Sequence, residues 1–182
     1  MTRTFFLQLK WVFWFLLLFI CVEVINIFVA RGLNNFGIYP REIFGLRGIL
    51  FAPFLHGNVM HFASNIVTLG VFSLLVLQYG FSRFISVSLL IVVMSGLLVW
   101  GLAREAMHVG ASGLIYGYLG FLLLGGILSK QIKLIVIALV VSIFYGGLIF
   151  GVLPTRGFVS WESHLFGFVA GLVAAKLWAK PR

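Results

Sequence analysis

The sequence predicts an all-α membrane protein, a bundle of six membrane-crossing helices with a long interfacial first loop. Three observations predict it. The chain is 62% hydrophobic and 9% charged, against about 25% charged in soluble domains. It holds six apolar runs of the length, about 20 residues, that a helix needs to cross a bilayer. Its lysines and arginines fall between those runs instead of clustering on one face, the pattern of topology signals. With 182 residues the chain suits a single domain, 1–182.

The first run, 11–30, is "WVFWFLLLFICVEVINIFVA". It follows Arg3 and Lys10 as a secretory signal would, but it is too long for one and no small-residue cleavage site follows. The others span 60–78, 83–102, 112–129, 132–152 and 162–179. With the N-terminus inside, Arg3, Lys10, Arg83, Lys130, Lys133, Lys176, Lys180 and Arg182 lie on the cytoplasmic side, and Arg31, Arg41, Arg47, Arg104 and Arg156 outside. The short loops carry the rule best, so both termini are expected in the cytoplasm. The connection from Arg31 to Leu55 is long for a segment without a span. It is apolar yet broken by Gly32, Gly37, Pro40, Gly45, Gly48 and Pro53, which predicts short helical pieces lying in the outer interface.

Several function classes are excluded by composition. The net charge of +9 does not indicate a nucleic-acid partner, because no basic face forms. Cys21 is the lone cysteine, so there is no disulfide framework or cysteine metal site. There is no aspartate, and the acids are Glu23, Glu42, Glu105 and Glu162. An aspartyl-protease pair and a Ser-His-Asp triad are therefore impossible. A His-Glu-x-x-His zinc site is missing too. No cofactor or metal is expected.

Topology brings the remaining polar residues together. The second, fourth and sixth spans start on the same side. His56 lies just before the second, His61 at its start and Asn65 one turn on; Ser112 opens the fourth and His164 the sixth. His61 and Asn65 are spaced i,i+4 and share a face, as do Ser112 and Tyr116. Polar groups at this depth are costly unless they pair or line water. Interhelical glue would explain one of them, but not four in one leaflet. Gly113, Gly117 and Gly120, with Gly167, Gly171 and Ala175, form small-residue stripes that let two helices approach closely. Such contact brings Ser112 toward His164.

Those residues make an acyl-transfer set. A serine needs a base to become a nucleophile, and neutral histidine is the usual one. The Ser112 N–H at a helix start, with His61 and the Asn65 amide, offers donors to a developing oxyanion. Of the glutamates, Glu162 is read as a helix-start residue favoured by the dipole, Glu105 as solvated beside Arg104, and Glu23 as a mid-membrane carboxylate without an identified partner. Tyr116 is expected to stack on the imidazole, and His108 to be an ordinary loop residue. Gly110 to Gly113, "GASG", is not the Gly-x-Ser-x-Gly elbow of α/β-hydrolases.

Taken together, "HGNVMHFASN", "GASGLIYG" and "SHLFGFVAG", in this order and at these helix starts, resemble the rhomboid intramembrane serine proteases over nearly the whole chain. The resemblance implies a rhomboid-like bundle of the minimal six-helix bacterial type. Ser112 is the implied nucleophile and His164 the base of a dyad; His61, Asn65 and the Ser112 N–H are the implied oxyanion hole. Tyr116, His56, Gly110 and Gly113 take supporting roles. It also implies single-span membrane proteins as substrates, the bacterial inner membrane as the location, and a water-filled cavity opening to the extracytoplasmic side. Substrate access is implied near the fifth span, where Gly146, Gly147 and Gly151 ease movement, under a cap formed by 153–160. Two departures stand out. Leu46-Arg47 takes the place of a Trp-Arg pair in the first loop, and Ser163 the place of an alanine before the helix-six histidine. The alternatives are a catalytically inactive relative that binds transmembrane helices, and a small transporter, against which no inverted repeat is detectable.

Overall fold

The computed structural model describes residues 2–155 and 159–180. Arg156 and Arg182 of the charge pattern, and the middle of the cap segment, lie outside the described residues. Within them the chain is all helical: α1 (Thr2–Phe28), α2 (Gly48–Phe51), α3 (Val59–Val76), α4 (Phe81–Leu102), α5 (Ser112–Ser129), α6 (Ile132–Tyr145) and α7 (Trp161–Trp178), with short 3-10 pieces between. Among the described residues there is no strand, only an isolated antiparallel bridge between Ile38 and His108.

Five stretches are long and apolar enough to cross a membrane: Arg3–Phe28, Val59–Tyr79, Phe81–Leu102, Ser112–Ser129 and Ile132–Val152. The sixth predicted run becomes α7. It opens on Trp-Glu-Ser-His and carries Lys176, so its mean hydropathy is lower. Its Glu162 and His164 are buried inside the protein.

Most boundaries fall within two residues of the sequence reading, and two differ by more. α1 starts at Thr2 rather than at 11. The chain has no glycine or proline before Gly32, so nothing stops the helix from continuing past its apolar run. It ends where Ala30 and Arg31 turn left-handed, at φ 51° and 61°. The run 132–152 is α-helical only to Tyr145; from Gly146 to Val152 it tightens into a 3-10 helix. The segment from Arg31 to Leu55 does fold as short helical pieces, Gly32–Phe36, Ile43–Arg47, α2 and Ala52–Phe54.

α5 is the hub. It is buried over most of its length and packs against α7 most extensively, then α6, α3 and α4. A Cβ on Gly167 would collide with the Gly113 carbonyl, and one on Gly171 with the Gly117 carbonyl. The two helices therefore touch backbone to backbone, as the small-residue stripes predicted. The stripe also serves a second neighbour, because a Cβ on Gly117 would strike Ile91 of α4. Gly125 and Gly126 continue the close packing, the latter against Leu134 and Ala138 of α6. α1 is peripheral. Its buried residues Val12, Phe19, Glu23 and Asn26 repeat at seven, four and three, a single helical face.

Candidate functional site

Three helix starts build one wall each of a cavity of ≈ 580 Å³, lined by His61, Asn65, Ser112, Tyr116 and His164 among others. Asn58 begins α3, its side chain accepting the His61 N–H at 2.8 Å. This N-cap satisfies a donor that the helix cannot and sets the turn from which His61 and Asn65 project into the cavity. Asn65 is buried, and its amide Nδ2 has no hydrogen-bond partner.

Ser112 is the first residue of α5 and is 7% exposed. Its N–H belongs to the first helical turn, whose donors lack intrahelical partners. The turn before it depends on Gly110, at φ 128°, a conformation that L side chains avoid. A Cβ there would also meet His61 Cε1 at 2.8 Å. Gly110 thus lets the serine loop lie against His61, and Gly113 lets α5 lie against Ser163 of α7.

His164 is held on two sides. Its ring stacks on Tyr116, centroids 4.1 Å apart and planes within 6°. Its Nδ1 lies 2.9 Å from the Gly151 carbonyl. A carbonyl only accepts, so Nδ1 carries a proton, and in the neutral ring Nε2 keeps its lone pair. Gly151 is needed for this approach, since a Cβ on it would collide with the Tyr116 hydroxyl. Its role is close contact with the histidine, whereas Gly146 and Gly147 sit in open space. No hydrogen bond joins Ser112 to His164; the two face the same cavity.

His56 is fully buried beneath this wall. Its Nε2 accepts the N–H of Ala111 at 3.4 Å, one residue before Ser112, and its ring meets His61 edge-on at 5.2 Å. Burial above all, then the neighbouring His61 and Arg31, lowers its pKa to about 3 against the pull of the Phe54 carbonyl. The ring is therefore neutral near pH 7. Its Nδ1, 3.7 Å from Glu23 Oε2, is an N–H facing a carboxylate rather than half of an ion pair.

Several side chains have duties that the sequence did not reveal. Glu23 pairs with Arg31 at 2.9 Å. Glu162 lies in the first turn of α7, as expected, but it is also buried against Arg104, 3.3 Å away. Arg104 donates to the carbonyls of Val159, at 2.7 Å, and Thr155, at 3.4 Å. Glu105 is exposed and meets Arg41 at 3.3 Å. His108 is not an ordinary loop residue. It is buried, its backbone pairs with Ile38, and its ring links Ser160 Oγ at 2.6 Å to the Arg104 carbonyl at 3.0 Å. Burial is the main cause that lowers its pKa. Neutral and donating from Nε2 to the carbonyl, it accepts the Ser160 hydroxyl at Nδ1. Arg47, in the place of the missing Trp-Arg pair, lies 4.4 Å over the Phe36 ring. The signal for Glu23 was present: with Phe19 and Asn26 it falls on one face of α1. The His108 contact spans 52 positions, and no local spacing announces it.

Comparison with known proteins agrees with this architecture. A Rhomboid domain family model matches residues 44–181. An uncharacterized protein of Mycobacterium tuberculosis (strain ATCC 25618 / H37Rv) is 40% identical over 176 residues, 92% of this chain and 73% of that one. An uncharacterized protein of Mycobacterium leprae (strain TN) is 36% identical over 176 residues, 92% of this chain and 70% of that one. A protein of Acanthamoeba polyphaga mimivirus, whose name describes it as a rhomboid protein, is 28% identical over 138 residues, 73% of this chain and 75% of that one. With three-quarters of its length inside the matched domain, this chain belongs to the rhomboid family.

Proposed function

We propose that the protein is an intramembrane serine endopeptidase that cuts single-span membrane proteins in or beside their spans, with Ser112 as nucleophile and His164 as general base. The observation that carries this reading is the state of His164. Stacked on Tyr116 and donating from Nδ1 to Gly151, the neutral ring has Nε2 free to accept a proton beside the cavity that Ser112 shares. In the reaction Nε2 takes the Ser112 Oγ proton as Oγ attacks the scissile carbonyl. The oxyanion is met by the Ser112 N–H, His61 and the unspent Asn65 amide donor. The protonated His164 then gives its proton to the leaving amine, and water, activated by the same nitrogen, releases the acyl group. Each oxyanion donor contributes about 3 kcal/mol to lowering the barrier.

The same reading makes α7 the sixth span, its polar first turn sheltered by α4 and α5, within a single domain of 1–182. The segment from Arg31 to Leu55 lies in the outer interface, both termini are cytoplasmic, and the cavity opens to the extracytoplasmic side of a bacterial inner membrane. Substrate reaches Ser112 past α6 and Gly146–Val152, where the helix changes type.

A second reading, a relative that binds transmembrane helices without cleaving them, is favoured by one observation: no hydrogen bond links Ser112 to His164. Catalytic hydrogen bonds are often long before substrate binds, which leaves the protease reading ahead. Ser112→Ala and His164→Ala are expected to abolish cleavage of a single-span substrate while the protein stays folded. Equal fluorophosphonate labelling of Ser112→Ala and wild type refutes the assignment of the nucleophile. A wild type that binds such substrates and never cleaves them establishes the second reading.

A further inference from the structure

Glu23 is a carboxylate 2% exposed on the inner face of α1, and the proposed dyad does not use it. Its surroundings form a socket around His56. Arg31 donates to Glu23 Oε1 at 2.9 Å and to the His56 carbonyl at 2.6 Å. Asn34 donates to the same carbonyl at 3.1 Å, and Asn26 donates to Asn34 Oδ1 at 2.9 Å. The backbone of His56 is thereby tied to the outer end of α1. Its ring is addressed separately. Glu23 Oε2 and His56 Nδ1 are both buried without a hydrogen-bond partner, and they face each other at 3.7 Å. On the far side of the ring, Nε2 accepts the Ala111 N–H. A neutral imidazole has one donor and one acceptor. A carboxylate facing Nδ1 selects the tautomer whose Nε2 can accept, so the two ends of the ring are coupled.

We propose that Glu23 is a positioning residue for the serine loop. It holds the His56 ring in the tautomer and orientation that accept the Ala111 N–H, and so fixes the peptide that carries Ser112 and its N–H. Ser112 N–H, in the first turn of α5, has no partner within the helix. Glu23, Asn26, Arg31 and Asn34 all precede residue 44, where the family-model match begins. The socket is therefore built by a segment outside the matched domain. The inference rests on the protease reading for its effect on rate, but not for its effect on the ring.

The test compares Glu23→Gln, Glu23→Asp and the pair Glu23→Gln/Arg31→Gln with wild type in detergent. The readouts are kcat and KM on a single-span substrate, melting temperature, and the His56 tautomer by ¹⁵N NMR of the labelled imidazole. Glu23→Gln is expected to lower kcat about tenfold, the scale of a small misplacement at a reacting centre, with KM within about twofold. It is also expected to shift the His56 tautomer away from Nδ1–H. Glu23→Asp, which keeps the carboxylate, is expected to recover part of the rate. The double variant, which removes the unpaired guanidinium, recovers melting temperature but not kcat. A Glu23→Gln enzyme with wild-type kcat and tautomer overturns the inference. So does a double variant restored to full kcat, since Glu23 would then serve only to neutralise Arg31. A wild type that never cleaves defeats the protease reading instead. The His56 tautomer in Glu23→Gln still decides the present inference: a shift upholds it and an unchanged ring overturns it.

Discussion

Gly171→Ala tests the contact on which the whole site rests. Gly171 of α7 faces the backbone of Gly117. An added Cβ would collide with the Gly117 carbonyl oxygen, and would lie 2.7 Å from its carbon and 3.0 Å from its Cα. Carbon atoms in ordinary contact stand about 3.5–4.0 Å apart. The helices must therefore part by roughly 1 Å, and neither partner is a flexible side chain that could yield instead. Overpacking of this kind costs about 2 kcal/mol, roughly 4–8 °C in melting temperature for a chain of this size. The rate should suffer more than stability. His164 lies seven residues before Gly171 on the same helix, about 10 Å along its axis, and Ser112 stands at the matching end of α5. Parting the helices at Gly171 moves His164, the proposed base, from Ser112, the proposed nucleophile, and a 1 Å misplacement costs about 100-fold. The assay is thermal unfolding in detergent together with the rate of fluorophosphonate labelling. Gly101→Ala, where a Cβ meets nothing, is the control and is expected to match wild type. If Gly171→Ala also labels at the wild-type rate, the α5–α7 backbone contact does not set the Ser112–His164 geometry.

Tyr116→Leu removes the ring beneath His164 and is expected to lower kcat severalfold, since such stacking is worth about 0.5–1.5 kcal/mol; Tyr116→Phe keeps the ring and should stay near wild type, and equal rates for the two would refute the stacking role. Arg104→Ala leaves Glu162 buried without its cation and is expected to cost about 2 kcal/mol, read as a lower melting temperature that Glu162→Gln partly restores; no restoration means that the carbonyl bonds of Arg104, not the ion pair, carry its contribution. Stability is expected to fall with acid because of His56. Its folded pKa, about 3, lies below the ordinary 6.5, so the unfolded chain binds more protons between those values and stability rises with pH across that window. The full loss on going from pH 6.5 to 3 is about 4 kcal/mol, and His56→Asn, which cannot titrate, should flatten the acid limb of a melting-temperature profile.

What the sequence carried and what it withheld follow from the range of the contacts involved. His61 with Asn65, and Ser112 with Tyr116, are set by helical spacing, and the side of the membrane on which three helices start is set by counting spans. Those two facts were enough to bring the cavity-lining residues together, because a bundle of crossing helices has few places to put its starts. The glycines were legible for the same reason: a stripe at spacings of three and four has a face, and a face without side chains invites a neighbour. Helical spacing marks the burial of Glu23 beside Phe19 and Asn26 but not its partners, and His108 and Arg104 obey neither rule. Their partners sit in turns and caps, where direction is decided by left-handed residues such as Arg31 and by the approach of Ile38 to His108. Nothing periodic records those turns. They nonetheless hold the loops on either side of Ser112 and His164: Arg104 and His108 bind the segment before α7, and Glu23 and Arg31 bind the residue that grips Ala111. On the proposed reading, the helices deliver Ser112 and His164 to one cavity, and ion pairs at the helix ends, Glu23 with Arg31 and Glu162 with Arg104, fix how those groups are aimed. A substitution at Glu23 or Arg104 should therefore change rate without moving any helix, whereas one at Gly171 should move a helix and change rate as a consequence.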